Sequence, residues 1–255
     1  SNNARQIYNQ ISGLNIYQND DAGIQLHIGG RGLDPNRTSN FNTRQNSYDI
    51  SADVLGYPES YYTPPAEAIK EIQIVRGAAS LQYGTQFGGL INFVLKEPPN
   101  KEIDAVIRNT IGSNNQYTNF TSIGGKKNKF SFYAFYNHKR GDGFRNNSNY
   151  KSNNVYVHLK QNLSNKSELS GEVTYMNYLA KQAGGLSDRM FINNPLQSNR
   201  SRNWFELDWL LYNFKFKHRF NEKTNLSFSL FGLDAERNTV GFRTNRVDQV
   251  DPLTE

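Results

Sequence analysis

The 255-residue sequence contains no cysteine, which excludes disulfides, thiolate metal sites and cysteine nucleophiles. It is also poor in apolar residues: they make up 36% of the chain, and the mean hydropathy is −0.75. No run approaches the roughly eighteen consecutive apolar residues that a transmembrane helix needs, so that route across a bilayer is excluded. Strands are not, because a membrane strand needs only about ten residues of alternating character. The histidines, His27, His138, His158 and His218, are too widely spaced to form a ligand pair. Neither a phosphate-binding glycine loop nor a nucleophile elbow occurs. Asp20-Asp21 and the Asp49, Asp53 pair lie in polar stretches and read as solvated surface, not as a metal or acid–base site. Enzyme chemistry is thereby set aside, and no cofactor is expected.

Aromatic residues, by contrast, reach 13%. Disordered chains are poor in Tyr and Phe, so the low hydropathy belongs to a folded protein with much polar surface. A sheet with lipid on one face and water on the other satisfies both facts. The formal charge is +6 and the pI about 9.3. The basic residues are scattered and form no single stripe, so nucleic acid is not expected as a partner. No secretory leader opens the chain and both ends lie in polar sequence, so a piece of a longer protein is expected.

The chain falls into two parts with different grammar. Residues 1–97 read as a mixed α/β domain. A short helix with Ile7, Ile11 and Leu14 on its apolar face is expected to end at Gly13, with an extended piece from Leu14. Residues 24–28 alternate as a half-buried strand should. Ala66 to Lys70, after two prolines, suits a helical turn. Strands are expected over Glu71–Val75 and Leu90–Leu95, with a short helix over Ala78–Tyr83 between them. Leu33 to Thr63 is a long polar stretch, and long irregular segments in compact domains are usually functional.

From Pro98 onward helical signals vanish, and seven period-2 segments follow one another to residue 255. In the clearest, Val155, Val157, Leu159 and Leu163 oppose Tyr156, His158, Lys160 and Asn162. Tight turns at Lys126-Lys127-Asn128, Ser164-Asn165-Lys166 and 221–224 alternate with long loops at 141–150, 179–204 and from 238 on. Ser113-Asn114-Asn115 is the exception, short where a long loop is due. Alternation alone leaves a soluble β-sandwich and a membrane β-barrel both open. Segments of ten to thirteen residues, longer than the usual globular strand, favour the tilted strands of a barrel.

Three motifs in the first part carry a family resemblance. Ile72-Gln73-Ile74-Val75-Arg76-Gly77, a short helix, Tyr83-Gly84 and then Gly88-Gly89-Leu90-Ile91-Asn92-Phe93-Val94 resemble the closing element of TonB-dependent receptor plugs. Gly30-Arg31-Gly32-Leu33 resembles the plug's other Arg-Gly element, and Ile11-Ser12-Gly13-Leu14-Asn15-Ile16 its opening helix-turn-strand. Gly32-Leu33-Asp34-Pro35-Asn36-Arg37 and Thr43-Arg44-Gln45-Asn46-Ser47-Tyr48-Asp49 are most similar to ferric-citrate-type receptors.

The resemblance implies an α/β plug domain over 1–97 and the first seven or so antiparallel transmembrane strands of a barrel of about 22 over 98–255. It further implies an outer-membrane location and active uptake of a ferric chelate, driven by a TonB-type energy-transducing protein. Cobalamin or glycan import on the same scaffold is the alternative, and a soluble β-rich adhesin the alternative from another class.

Chelates of this kind are anionic and oxygen-rich, and guanidinium forks and amides suit them. Arg37, Arg44, Gln45 and Asn46 are therefore the expected ligand contacts, with Tyr57, Tyr61 and Tyr62 as walls and Gln86 in reach. By the resemblance, Arg31 and Arg76 lock the plug to glutamates of the barrel wall. The transducer's docking segment, the TonB box, is expected outside these residues.

Overall fold

The computed structural model describes residues 12–18, 22, 24, 26–30, 32–35, 38, 40–52, 61–75, 83 and 88–241. Thirteen strands in three sheets dominate them.

Seven strands form one antiparallel sheet in strict sequence order: β7 (Asp104–Ile111), β8 (Tyr117–Lys127), β9 (Phe130–Gly141), β10 (Tyr150–Asn162), β11 (Ser167–Lys181), β12 (Trp204–Arg219) and β13 (Asn225–Val240). All seven alternating segments are thus strands, and β10 to β13 run well beyond the apolar stretch that marked them. The sheet is not closed. β7 and β13 are its two edges among the described residues.

Its two faces differ as the alternation requires. One face buries Phe120, Phe135, Tyr156, Thr174, Tyr178, Leu207, Trp209 and Leu211. The other presents large apolar side chains to the outside, among them Ile107, Ile123, Val155, Leu159, Val173, Phe214 and Phe228, which is 53% exposed. A soluble sandwich would have covered that face, because monomers in water rarely leave so extended an apolar surface open.

A row of polar residues crosses the exposed face in unbroken register. Asn109, Asn119, His138, Asn153, Asn177, Asp208 and Glu236 each sit opposite the next, one per strand. Asn119 Nδ2 donates to Asn109 Oδ1 at 2.8 Å, and Asn177 Nδ2 to Asp208 Oδ1 at 3.0 Å. Tyr136 and Tyr175 turn their hydroxyls into the row, donating to Asn153 and Asp208.

The smaller sheets come from the first part. β1 (Leu14–Gln18) and β2 (Leu26–Gly30) form an antiparallel pair. β3 (Phe41–Gln45), β4 (Tyr48–Asp49), β5 (Ile69–Val75) and β6 (Gly89–Leu95) form a mixed sheet in the order β4-β3-β6-β5, with β3 parallel to β6. β6 is buried along most of its length, as its apolar run, broken only by Asn92, requires.

Two apolar clusters join this mixed sheet to the large one: one sets Ala68 and Leu95 against Phe120, Tyr133, Phe135 and Tyr156, and the other is larger. The larger takes in Tyr48, Ile50, Tyr62, Ile91 and Phe93 on one side and Tyr178, Phe205, Leu207 and Trp209 on the other. The small sheet therefore rests on the buried face of the large one.

Several expectations are corrected. β3 and β4 lie inside the stretch read as irregular. The strand expected at 24–28 occupies Leu26–Gly30. The turn after Pro65 is a 3₁₀ turn over Ala66–Ala68 that gives way to strand at Ile69. In the long loop after β11, Asp188–Asn193 forms a helix, α1, where no helical signal was read; Ser187 caps it by accepting from the Met190 amide. The helix expected before Leu14 and that over 78–83 fall almost wholly outside the described residues.

Candidate functional site

Local chemistry begins at the β3–β4 hairpin. Gln45 pairs with Tyr48, leaving Asn46 and Ser47 as a two-residue turn with φ of 46° and 75°. Two positive φ values are what a type I′ hairpin turn demands, and Asn suits the first position better than Ser suits the second. The turn is held from several sides. The Ser47 amide donates to Asn92 Oδ1 at 2.8 Å, the Asn46 amide to the Phe93 carbonyl at 3.0 Å, and Asn46 Oδ1 accepts from the Leu95 amide at 2.9 Å.

With Asn46 so fixed, its side-chain amide reaches the large sheet. Nδ2 donates to Glu172 Oε2 at 2.7 Å, and Tyr156 donates its hydroxyl to the same oxygen at 3.1 Å. Gln45, fully buried, donates to Thr174 Oγ1 at 3.1 Å and to the Tyr48 hydroxyl. Burial first, and then the Glu172 carboxylate, push the Tyr48 hydroxyl well above its ordinary pKa. Tyr62 is buried to 0% exposure, and its hydroxyl faces Asn154 and Thr174; burial raises its pKa too. Tyr61 packs against Phe205 with the rings tilted by 50° and meets Trp209 edge-on, with ring centroids 5.5 and 6.1 Å away.

Arg44 binds within the small domain. Nε donates to Asn42 Oδ1 at 2.7 Å, Nη1 to the Ser47 carbonyl at 2.7 Å and Nη2 to the Tyr83 carbonyl at 3.0 Å. The guanidinium also lies over the Tyr83 ring, 4.6 Å from its centroid, and 3.8 Å from Asp49. Burial lowers its pKa, against the opposing pull of Asp49 and Tyr83. Arg44 thereby ties the hairpin to the chain around Tyr83.

Gly88 and Gly89 lie where that chain re-enters the sheet. A Cβ at Gly88 would come within 2.4 Å of the Asn40 carbonyl oxygen, and Gly89 has a φ of 130°. Only glycine fits both demands.

On the tight-turn side, a polar cavity of about 240 Å³ separates the sheets, lined by Asn46, Asn92, His158, Glu172 and a cluster of charges. In that cluster Lys160 bridges Glu168 at 2.9 Å and Glu97 at 3.4 Å, and Lys217 lies 3.8 Å from Glu168. Burial raises the Glu97 pKa, but Lys160 outweighs it, and the net shift is downward.

Of the ten residues singled out from sequence, the structure brings Gln45, Asn46, Tyr61 and Tyr62 together against the large sheet and places Arg44 beside them. Arg31, Arg37, Tyr57, Arg76 and Gln86 lie outside the described residues. Sequence reasoning missed Glu172, Tyr156 and Thr174. Their signal was present in alternation, since even-numbered positions of β10 and β11 face the small sheet, but nothing in sequence pairs them with Asn46.

No protein-family model matches the sequence, and no curated protein matches it. Solved structures do. The ferric citrate transporter FecA in its unliganded form superposes with a TM-score of 0.84 at 22% identity, over 94% of this chain and 38% of that one. The siderophore receptor PirA from Pseudomonas aeruginosa gives 0.68 at 15% identity, over 94% and 39%. The alcaligin outer membrane receptor FauA from Bordetella pertussis gives 0.69 at 16%, over 93% and 37%. This chain spans about two fifths of the length of each.

Proposed function

We propose that this chain, which has the fold of the TonB-dependent outer-membrane receptors, is the plug and opening barrel strands of such a receptor, and that the receptor takes up a ferric chelate across the outer membrane. One observation carries the reading above all. A small mixed sheet sits on the buried face of a long-stranded antiparallel sheet whose opposite face is apolar and open. That is the arrangement of a plug inside a lipid-facing wall, with residues 1–97 as plug and 98–255 as wall. The likeness to FecA, PirA and FauA supports iron as the cargo, and the likeness to FecA supports citrate as the chelator.

The contacts of Gln45, Asn46, Tyr61 and Tyr62 support a division of roles. Gln45, Asn46, Tyr61 and Tyr62 hold plug against wall. Arg31 and Arg76 are assigned to the same locking task by resemblance. Ligand contact falls to Arg37, Tyr57 and Gln86, with Arg44 setting the shape of the neighbouring hairpin and adding positive charge. A TonB-type protein supplies the energy by pulling on the plug.

The test is ligand binding by the full receptor across ferric citrate, ferric siderophores, cobalamin and oligosaccharides. Saturable binding of a ferric chelate is expected. Binding of cobalamin or an oligosaccharide instead would overturn the iron reading and leave the fold untouched.

A further inference from the structure

The exposed face of the large sheet changes character at its polar row. On the tight-turn side of His138, β9 presents Tyr136, Ala134, Phe132 and Phe130, and the neighbouring strands present Val155, Val157, Leu159, Val173 and Tyr175. Eight residues separate Phe130 from His138. At roughly 3.3 Å per residue and a tilt of about 40°, that is a height of about 20 Å, close to the hydrocarbon band of a membrane barrel. The row thus lies where lipid tails give way to headgroups.

One step beyond the row, on the same face, Arg140 of β9 lies directly opposite Lys151 of β10. Both are exposed. Like charges so placed repel and weaken the pairing. Lys181 of β11 joins them, because Lys151 pairs with Leu179 and Lys181 is the next residue along on that face. Arg140 rests on the Tyr117 ring, 5.6 Å from its centroid. None of the three cations makes an ion pair among the described residues. The carboxylates nearest in register, Asp142 and Glu206, sit at the margins, and Asp142 accepts from Asn115.

We propose that Arg140, Lys151 and Lys181 form a binding site for the phosphate of a lipid headgroup at the long-loop rim of the sheet. The proposal rests on the outer face being lipid-facing, as argued above. A phosphate between Arg140 and Lys151 turns their repulsion into two charge-assisted contacts, and the guanidinium fork matches two phosphate oxygens. The acyl chains then lie along Tyr136, Val155 and Val173, down the apolar face.

The experiment is native mass spectrometry of the full receptor in neutral detergent, titrated with phosphatidic acid or with diacylglycerol of the same chains. Phosphatidic acid should be retained and diacylglycerol should not. At about 1 kcal/mol per cation, the Arg140→Gln, Lys151→Gln double variant should bind phosphatidic acid roughly 30-fold more weakly, and each single variant about fivefold. Lys127→Gln, at the opposite end of the same face, should change nothing. Equal retention by wild type and variants, or of the two lipids, overturns the site. Inorganic phosphate binding as tightly as phosphatidic acid overturns the lipid as its occupant. Insertion of the wild type into phosphatidylcholine vesicles separates the two levels: failure to insert sinks the lipid-facing reading with the site, while insertion without preference for phosphatidic acid sinks the site alone.

Discussion

Asn46 and Glu172 meet across two sheets, the amide nitrogen of one 2.7 Å from the carboxylate of the other, though 126 residues separate them in sequence. This polar contact between the small and the large sheet is fixed at both ends. Asn46 is pinned by the Leu95 amide and by its own left-handed backbone, and Glu172 also takes the Tyr156 hydroxyl.

Asn46→Gly should therefore be informative, because it keeps the backbone conformation and deletes the amide. Leaving the Leu95 amide and the Glu172 carboxylate short of a partner should cost about 1–3 kcal/mol. Asn46→Ala should cost more, since alanine adds left-handed strain of roughly 1–2 kcal/mol. Denaturant unfolding of the protein measures both, and an alanine variant as stable as the glycine one would remove the turn geometry from the account.

Gly88→Ala tests the close approach to Asn40. The clash is with backbone, which cannot swing aside, and overpacking of this kind costs about 1–3 kcal/mol. Gly171→Ala, on the open outer face with nothing within 4 Å, should be neutral or slightly stabilising. The difference between the two unfolding midpoints is the readout.

Arg44→Lys should loosen the hairpin, because an ammonium cannot span Asn42, Ser47 and Tyr83 at once. A fall in unfolding midpoint is expected, with weaker binding of anionic and neutral ligands alike. Arg37→Ala should weaken an anionic chelate more than a neutral one and leave the midpoint where it was. Equal losses at Arg37 would make it a loop-holding residue.

Glu97 contributes an acid-sensitive clasp between the chain just after β6 and the large sheet. Its folded pKa lies below the ordinary carboxylate value of 4.5, so its pairing with Lys160 stabilises the fold fully above that pH and is lost as pH falls through the lower folded value. Glu97 is more than half exposed, so solvent screens the pair and the effect is small. Glu97→Gln should flatten this part of the acid limb of a stability-versus-pH curve and leave neutral pH nearly unchanged.

Much of this architecture was legible in the chain. The seven strands of the large sheet were readable because successive side chains point to opposite faces, so an apolar series on one face keeps period two over many residues. Their true ends were not, because near the loops the exposed face turns polar, as at Asn153, Asn177 and Asp208, and its apolar series stops. β3 escaped notice for a different reason. Its buried positions include Thr43 and Gln45, and the Gln45 amide nitrogen enters the core because partners from elsewhere accept from it. Those partners, Tyr48 and Thr174 among them, are known only after folding. The ligand candidates illustrate the same limit. Arg44, Gln45 and Asn46 look alike in sequence as polar residues on a long stretch, yet alternation along β3 and the turn after it point Gln45 and Asn46 at the wall and Arg44 at its own domain.

The β1–β2 pair has a mechanical corollary. Leu14 lies opposite Gly30, so the two strand ends nearest the rest of the chain are neighbours. Tension on the chain ahead of Leu14 would load one rung at a time and peel the ribbon like a zip. In the mixed sheet β3 runs parallel to β6, and a pull along that axis would load every rung together. A tug at the leading end would therefore be absorbed first by a soft element, which yields at low force before the stiffer mixed sheet is strained.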